Sequence, residues 1–431
     1  MSDTNSQTVT VSSLILDEER EGGNLSETIT GTEVDDLIDG FGGDDTISGL
    51  GGDDIIIGGE GNDVIDGGTG GNRLYGDNGD DTIISSGTND VVDAGEGNNT
   101  IIISGDAGGG EFVSGGGDDS YLIEEGASGH YDINSGDGND SYSIEEGVSG
   151  SIKINALNGN NSIISESRVN GIRTGGGEDN IVINGQSISG IQSGAGDDYV
   201  ELRGFLGSSW NIGGPDNLNL EDGDDTAYLY GGSQIVGGYD NGHSWDTGVS
   251  GGSGNDSIYL ADSYYGFANG GEGDDLIDAR QALDTRVLSG ENGKDQIWGS
   301  PGNDNIYGGK DDDYLNGGEG SDNIYGGDGN DQIKTTSEDN NLFGEGGDDS
   351  IESDDGDDKI YGGDNDDILT GNGGNDVIYG GNQNSTKGND GSIDTAVFSG
   401  ASTDYKLSRA TDTNFEYVYY IQDKRDGSPD G

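Results

Sequence analysis

Large aliphatic residues recur on a strict nine-residue period over two long stretches of the chain. They run Ile38, Ile47, Ile56, Ile65, Leu74, Ile83, Val92 and Ile101, then Ile297, Ile306, Leu315, Ile324, Ile333, Leu342, Ile351, Ile360, Leu369 and Ile378. Two residues before each stands an acid or amide: Asp36, Asp45, Asp54, Asp63, Asn72, Asp81, Asp90 and Asn99 in the first stretch. In the second these are Asp295, Asp304, Asp313, Asp322, Asp331, Asn340, Asp349, Asp358, Asp367 and Asp376. Glycines precede them, so the unit reads G-G-x-G-x-D-x-U-x with U the aliphatic residue. Glycine permits positive φ and a tight turn, and x-U-x is a minimal strand whose central side chain points inward. One unit is therefore a turn and a strand, and two units make one coil. Turns eighteen residues apart, such as those of Asp313 and Asp331, are expected to stack directly above one another.

Between these stretches the period lengthens. Acid- or amide-bearing turns recur at Asp119, Asp140, Asn161, Asp179, Asp198, Asp225, Asp256 and Asp275, mostly one coil apart instead of half a coil. The pair "DSYLIEEGASGHYDIN" from Asp119 and "DSYSIEEGVSGSIKIN" from Asp140 shows why. Tyr121/Tyr142 and Ile123/Ile144 mark one alternating strand, and Tyr131/Ile152 and Ile133/Ile154 another. The second turn, "EEGASG" or "EEGVSG", lacks the acid, so a continuous parallel β-helix with acidic turns on one edge is expected. Two excursions interrupt it, "FLGSSWNIGGPDNLNLE" and "GGYDNGHSWDTG", holding Trp210, Pro215, Tyr239, His243 and Trp245. Loop aromatics can stack on sugars, but a loop-borne minicore explains these more simply. His130 replaces Ser151 of the neighbouring repeat and reads as a surface variant.

Composition sharpens this picture. The 431 residues carry a net charge of −69 with only 28% hydrophobic residues, a balance that normally signals disorder. Strict periodicity argues instead for stacking. One aliphatic per nine residues buries little apolar surface, and stacked carboxylates about 5 Å apart repel by about 3 kcal/mol at an effective dielectric of 20. With no cysteine to crosslink it, such a coil needs a cation. So acidic a surface excludes nucleic acid and anionic lipid as partners. No apolar run is long enough to span a membrane. The first thirty residues lack a basic start followed by an apolar core, so export by a route other than a cleavable signal is expected. Two unrelated histidines and no cysteine exclude Cys/His or Ser/His catalysis and zinc-type spacing. Acids are so abundant that no carboxylate pair stands out for glycan cleavage.

The repeat resembles the RTX (repeats-in-toxin) calcium-binding nonapeptide family, whose signature is G-G-x-G-x-D-x-U-x. The resemblance implies an all-β fold, a parallel β-roll or β-helix solenoid with calcium bound at glycine-rich turns. It also implies that sixth-position carboxylates of two stacked turns bind each ion with backbone carbonyls. Every aspartate named above at a turn is thus an expected ligand, from Asp36 to Asp376. Strands about 4.8 Å apart leave an ion midway about 2.4 Å from oxygens above and below, within the calcium–oxygen range. Sites near Asn72, Asn99 and Asn340 are expected to be weak or empty. Asp44, Asp53 and Glu319, off the sixth position, read as a solvated face.

The domains expected are a lead-in or cap (1–32), a first β-roll (33–104), a stretched one-sided β-helix (105–290), a second β-roll (291–385) and capping strands (386–431). The last segment changes texture, with strand-like "YKLSR" and "FEYVYYIQD". It resembles the flank that follows RTX arrays and leads to an uncleaved type I secretion signal, although related sequences commonly continue past the point where this one stops. The function expected is an extracellular structural, surface-layer or adhesive protein, with calcium, cell-surface polysaccharide or other surface proteins as partners. The alternative is a polysaccharide-modifying enzyme of epimerase or lyase type. Ice binding would need a repeated "GTGND" face, and scattered approximations such as "GTND" at Gly87 set it aside.

Overall fold

The computed structural model describes residues 23–105, 108–185, 190–203, 218–230, 248–262, 266–283, 285, 287–381 and 394–397, with the backbone of Gln7–Thr10, Tyr405–Thr411 and Tyr417–Asp423. The two loop excursions, with all their aromatics, lie outside these residues except for their last residues, Leu218–Glu221 and Gly248. No helix occurs among the described residues, as expected of a chain whose apolar positions recur every nine residues and whose glycines break every run. The chain divides into two compact units, Met1–Leu220 and Glu221–Gly431.

In the first unit short strands alternate between two parallel stacks. One holds Glu27–Thr30, Thr46–Ser48, Val64–Asp66, Thr82–Ser85 and Thr100–Ile103, and continues through Ser120–Ile123, Ser141–Ile144, Ser162–Ser165 and Asn180–Ile183 to Tyr199–Arg203. The other runs from Leu37–Asp39, Ile55–Glu60, Arg73–Asn78 and Asp90–Asp93 to Leu218–Asn219. Register places Ile47 on Ile65 and Ile56 on Leu74, one coil apart. Each coil thus puts its aliphatic residue over the last one, and Ile56, Ile65, Leu74 and Ile83 are wholly buried. The longer coils are longer because each strand points two residues inward. Tyr121 and Ile123 stack on Tyr142 and Ile144, and Tyr131 and Ile133 on Ile152 and Ile154, as the sequence pattern requires. The Tyr121 and Tyr142 rings lie 5.0 Å apart in the core. His130 is exposed beside Asp132 and in register with Ser151.

The second unit repeats the plan. Its aliphatic column from Ile297 to Leu369 is buried, and Ile378 is partly exposed. Outside one stack, Tyr307, Tyr325, Phe343, Tyr361 and Tyr379 form a near-parallel ladder with ring centroids 4.8–5.0 Å apart. The strands Tyr405–Thr411 and Tyr417–Asp423 of the expected cap form an antiparallel hairpin. Thr395–Val397 pairs in parallel with Ile368–Thr370, so the winding continues past the change of composition, and Asp394 takes up a turn position.

Candidate metal centre

Each turn is built on left-handed backbone, supplied mostly by glycine and in some turns by residues such as Asp311 or Glu338. In the turn of Asp331, Gly329 has φ +148, and a Cβ there would overlap the Asp311 carbonyl oxygen of the preceding coil. With the turns this close, side chains bridge them in two ladders of opposite sense. The sixth-position side chain reaches back: Asp331 Oδ1 accepts the Asp313 N–H at 2.9 Å, and Asp349 Oδ1 accepts the Asp331 N–H at 2.8 Å. The fifth-position side chain reaches forward: Asp312 Oδ1 accepts the Asn330 N–H at 2.9 Å, and Asn330 Oδ1 the Asp348 N–H at 2.8 Å.

The first ladder gathers the expected ligands into columns. In the first unit Asp45, Asp63, Asp81, Asp119, Asp140, Asp179 and Asp198 follow one another on one edge, with Asn99 and Asn161 among them. Asp36, Asp54, Asn72 and Asp90 form the other edge. In the second unit Asp225, Asp256, Asp275, Asp295, Asp313, Asp331, Asp349 and Asp367 form one column. Asp304, Asp322, Asn340, Asp358 and Asp376 form the second. Each coil in the stretched part of the first unit has its acid on one edge only.

One oxygen of each carboxylate is therefore accounted for, and the other is not. Oδ2 of Asp45, Asp54, Asp63, Asp81, Asp119, Asp140 and Asp179, and of Asp256, Asp275, Asp295, Asp313, Asp322, Asp331, Asp349 and Asp358, is buried with no hydrogen-bond partner. Burying an unpaired carboxylate oxygen is costly, and here the cost recurs coil after coil. Oδ2 lies against the first glycine of its own turn. A Cβ at Gly326 would overlap Asp331 Oδ2 and stand 2.7 Å from the Gly344 carbonyl oxygen one coil on. Among the described residues no three His, Cys, Asp or Glu side chains converge on one point. The donors around Oδ2 are thus backbone carbonyls. Carboxylate and carbonyl oxygens, without nitrogen or sulfur, are the donor set of a hard cation that accepts many oxygens, which is calcium.

The RTX calcium-binding nonapeptide repeat (4 copies) matches residues 21–56, 39–72, 48–83, 66–101, 289–324, 325–360 and 352–386. The chain carries RTX calcium-binding nonapeptide repeats in both units. Among solved structures it is similar to a hyperactive, Ca2+-dependent, β-helical antifreeze protein from an Antarctic bacterium. Identity is 20%, covering 84% of this chain and 85% of that one, with a TM-score of 0.34. No curated protein matches.

Burial, aided by neighbouring charge, pushes the RTX carboxylates far up. Asp313, Asp322 and Asp349 rise to about 8, held back by the backbone N–H each accepts and raised further by nearby aspartates, Asp295 and Asp331 for Asp313. Asp275 reaches about 7 and Asp331 about 6 for the same reason.

Three expected ligands differ from the rest. Asp36 Oδ2 accepts the Thr32 hydroxyl at 2.9 Å, Asp90 Oδ2 the Ser85 hydroxyl at 2.7 Å and the Gly87 N–H at 3.2 Å, and Asp304 Oδ2 the Ser300 N–H at 2.7 Å. The signal is a hydroxyl in the first or second position of the repeat: "GTEVDD", "SSGTND" and "GSPGND". At Asp119 and Asp140 the first glycine is replaced by Ser114 and Ser135, whose hydroxyls meet those of Tyr121 at 2.8 Å and Tyr142 at 2.5 Å. Asp44 and Asp53 are exposed as expected, and each also accepts a backbone N–H from the next coil, at 3.0 Å from Asn62 and 2.8 Å from Gly71. Glu319 is exposed as expected.

Proposed function

We propose that this RTX chain is an extracellular structural, surface-layer or adhesive protein that folds on calcium after export, by a type I route. The observation that carries the calcium reading is the column of buried carboxylate oxygens without partners. Asp45, Asp54, Asp63, Asp81, Asp119, Asp140, Asp179, Asp256, Asp275, Asp295, Asp313, Asp322, Asp331, Asp349 and Asp358 would hold the ions with the carbonyls of the turns. The ion supplies the positive charge that turns a repelling column into an attracting one. The chain's part is to hold Oδ1 by a backbone N–H, leave Oδ2 bare, and keep a glycine where a Cβ would fill the cradle. Binding and folding are then one event. Low calcium inside a cell keeps the chain unfolded, and millimolar calcium outside drives it to fold by mass action.

Circular dichroism and hydrodynamic radius test this directly. The expected change is from an expanded coil in excess chelator at neutral pH to compact β structure at millimolar calcium. Compact β structure persisting in chelator would overturn it. A turnover screen on acidic and neutral glycans tests the enzyme alternative, and calcium-dependent retention on cell-surface polysaccharide tests the adhesive role.

A further inference from the structure

Four turns carry asparagine where the column otherwise carries aspartate. Their Oδ1 atoms keep the ladder: Asn72 accepts the Asp54 N–H at 3.0 Å, Asn99 that of Asp81 at 3.0 Å, Asn161 that of Asp140 at 3.1 Å and Asn340 that of Asp322 at 2.9 Å. Nδ2 then stands where the bare Oδ2 stands in the other turns, and it donates to carbonyls of its own turn. Asn99 reaches Gly95 O at 3.3 Å and Gly97 O at 3.2 Å, Asn161 reaches Gly159 O at 2.9 Å, and Asn340 reaches Glu338 O at 3.0 Å. Asn72 reaches Gly68 O at 3.4 Å. The network dictates this orientation, because the reversed amide would set NH2 against a backbone N–H and Oδ1 against carbonyls. Those carbonyls occupy the second and fourth positions, and with an aspartate in place they face another oxygen. An NH2 group there carries positive charge to the point where a cation would otherwise be required.

The aspartates with their own donors obey the same logic. Asp36 and Asp90 are the first and last members of the short column of the first unit, and Asp304 is the first aspartate of the corresponding column of the second. Thr285 lies one coil before Asp304 and donates its hydroxyl to Asp304 Oδ1. A turn at the end of a column has an acidic neighbour on one side only, so it lacks half of a shared site.

We infer that the array contains built-in turns that take no calcium: at Asn72, Asn99, Asn161 and Asn340 the side-chain amide replaces the ion, and at Asp90 and Asp304 hydroxyl and amide donors of the chain do, whereas Asp36 keeps a bare buried Oδ1. This rests on the calcium reading and divides the repeats into two kinds. Bare-Oδ2 turns are calcium sites, whereas self-closed turns interrupt the run of like charges and hold neighbouring coils together before metal arrives. In the short column of the first unit, Asp54 alone has neither an amide nor a donor of its own turn.

Counting calcium tests the division. Asn340→Asp and Asn161→Asp, each in the full-length chain in saturating calcium, are expected to bind about one more ion than wild type by native mass spectrometry. Each should need more calcium to fold, because a bare oxygen has replaced an internal donor. Asp331→Asn is expected to bind about one fewer and to stay folded. A count unchanged in both Asn→Asp variants would overturn the inference, as would an unchanged count in Asp331→Asn. Wild type binding no calcium would sink the calcium reading itself, a result distinct from either.

Discussion

Position in the repeat, and not charge, decides what an acid does in this protein. Asp331 is buried in a column and Glu319 is exposed on the same coil. Asp331→Ala removes a carboxylate shared by stacked turns and is expected to raise the calcium midpoint of folding several-fold. Glu319→Ala removes only a repelling charge and should leave that midpoint unchanged or slightly lower. A side-by-side calcium titration controls for net charge, and equal shifts would mean that calcium is held as by a diffuse polyanion. Gly326→Ala makes the complementary test. It alters no charge, but its Cβ would overlap Asp331 Oδ2, so it too should raise the midpoint. The fifth position works differently. Asn330→Ala removes the acceptor of the Asp348 N–H and should cost about 0.5–1.5 kcal/mol in denaturant unfolding at saturating calcium, with no change in ions bound.

At the scale of the column, charge and proton compete for the same oxygens. In the second unit Asp295, Asp313, Asp331 and Asp349 rise from 3.8 to between about 6 and about 8. Without calcium, the folded column therefore binds protons that the unfolded chain releases. Their contribution to stability is fully present below about pH 4 and is lost as pH rises through about 6 to 8. Calcium-depleted protein should consequently gain β structure by circular dichroism between pH 8 and pH 5, and calcium binding near pH 7 should release protons in weak buffer. No gain on acidification would contradict the burial of these groups. The outer aromatic ladder supports the same coils without metal. Phe343 stacks on both Tyr325 and Tyr361, so Phe343→Ala should cost about 1–3 kcal/mol, two aromatic pairs at about 0.5–1.5 each, measured by denaturant at saturating calcium.

For the whole molecule, coil spacing selects the ion and the last coil sets where winding stops. Magnesium, with bonds of about 2.0–2.1 Å and a strict octahedron, should fold the chain poorly at concentrations where calcium suffices. Removing residues 394–431 uncovers the edge of Ile368–Thr370, which Thr395–Val397 otherwise pairs. The shortened protein should need more calcium to fold or should associate end to end through the exposed edge. Unchanged midpoint and mass, by titration and light scattering, would show that the final coil needs no cover.

The all-β solenoid, its two-strand coil and the sixth-position columns were legible in the sequence because every coil puts the same kind of residue inward and most turns carry glycine at the same positions. Ile56 over Leu74 and Tyr121 over Tyr142 follow from spacing alone. The tertiary structure decided what spacing does not encode, namely which atom of each side chain meets which neighbour. Fifth- and sixth-position acids such as Asp312 and Asp313 look alike in sequence. Only the stacking of coils shows that one reaches forward at the surface and the other back into the interior, leaving an oxygen bare. The self-closed turns were half written, in Ser85, Ser300 and the asparagines. Their meaning needed the turn itself, because a hydroxyl or amide replaces a cation only where the folded backbone brings carboxylate and carbonyl oxygens to one point.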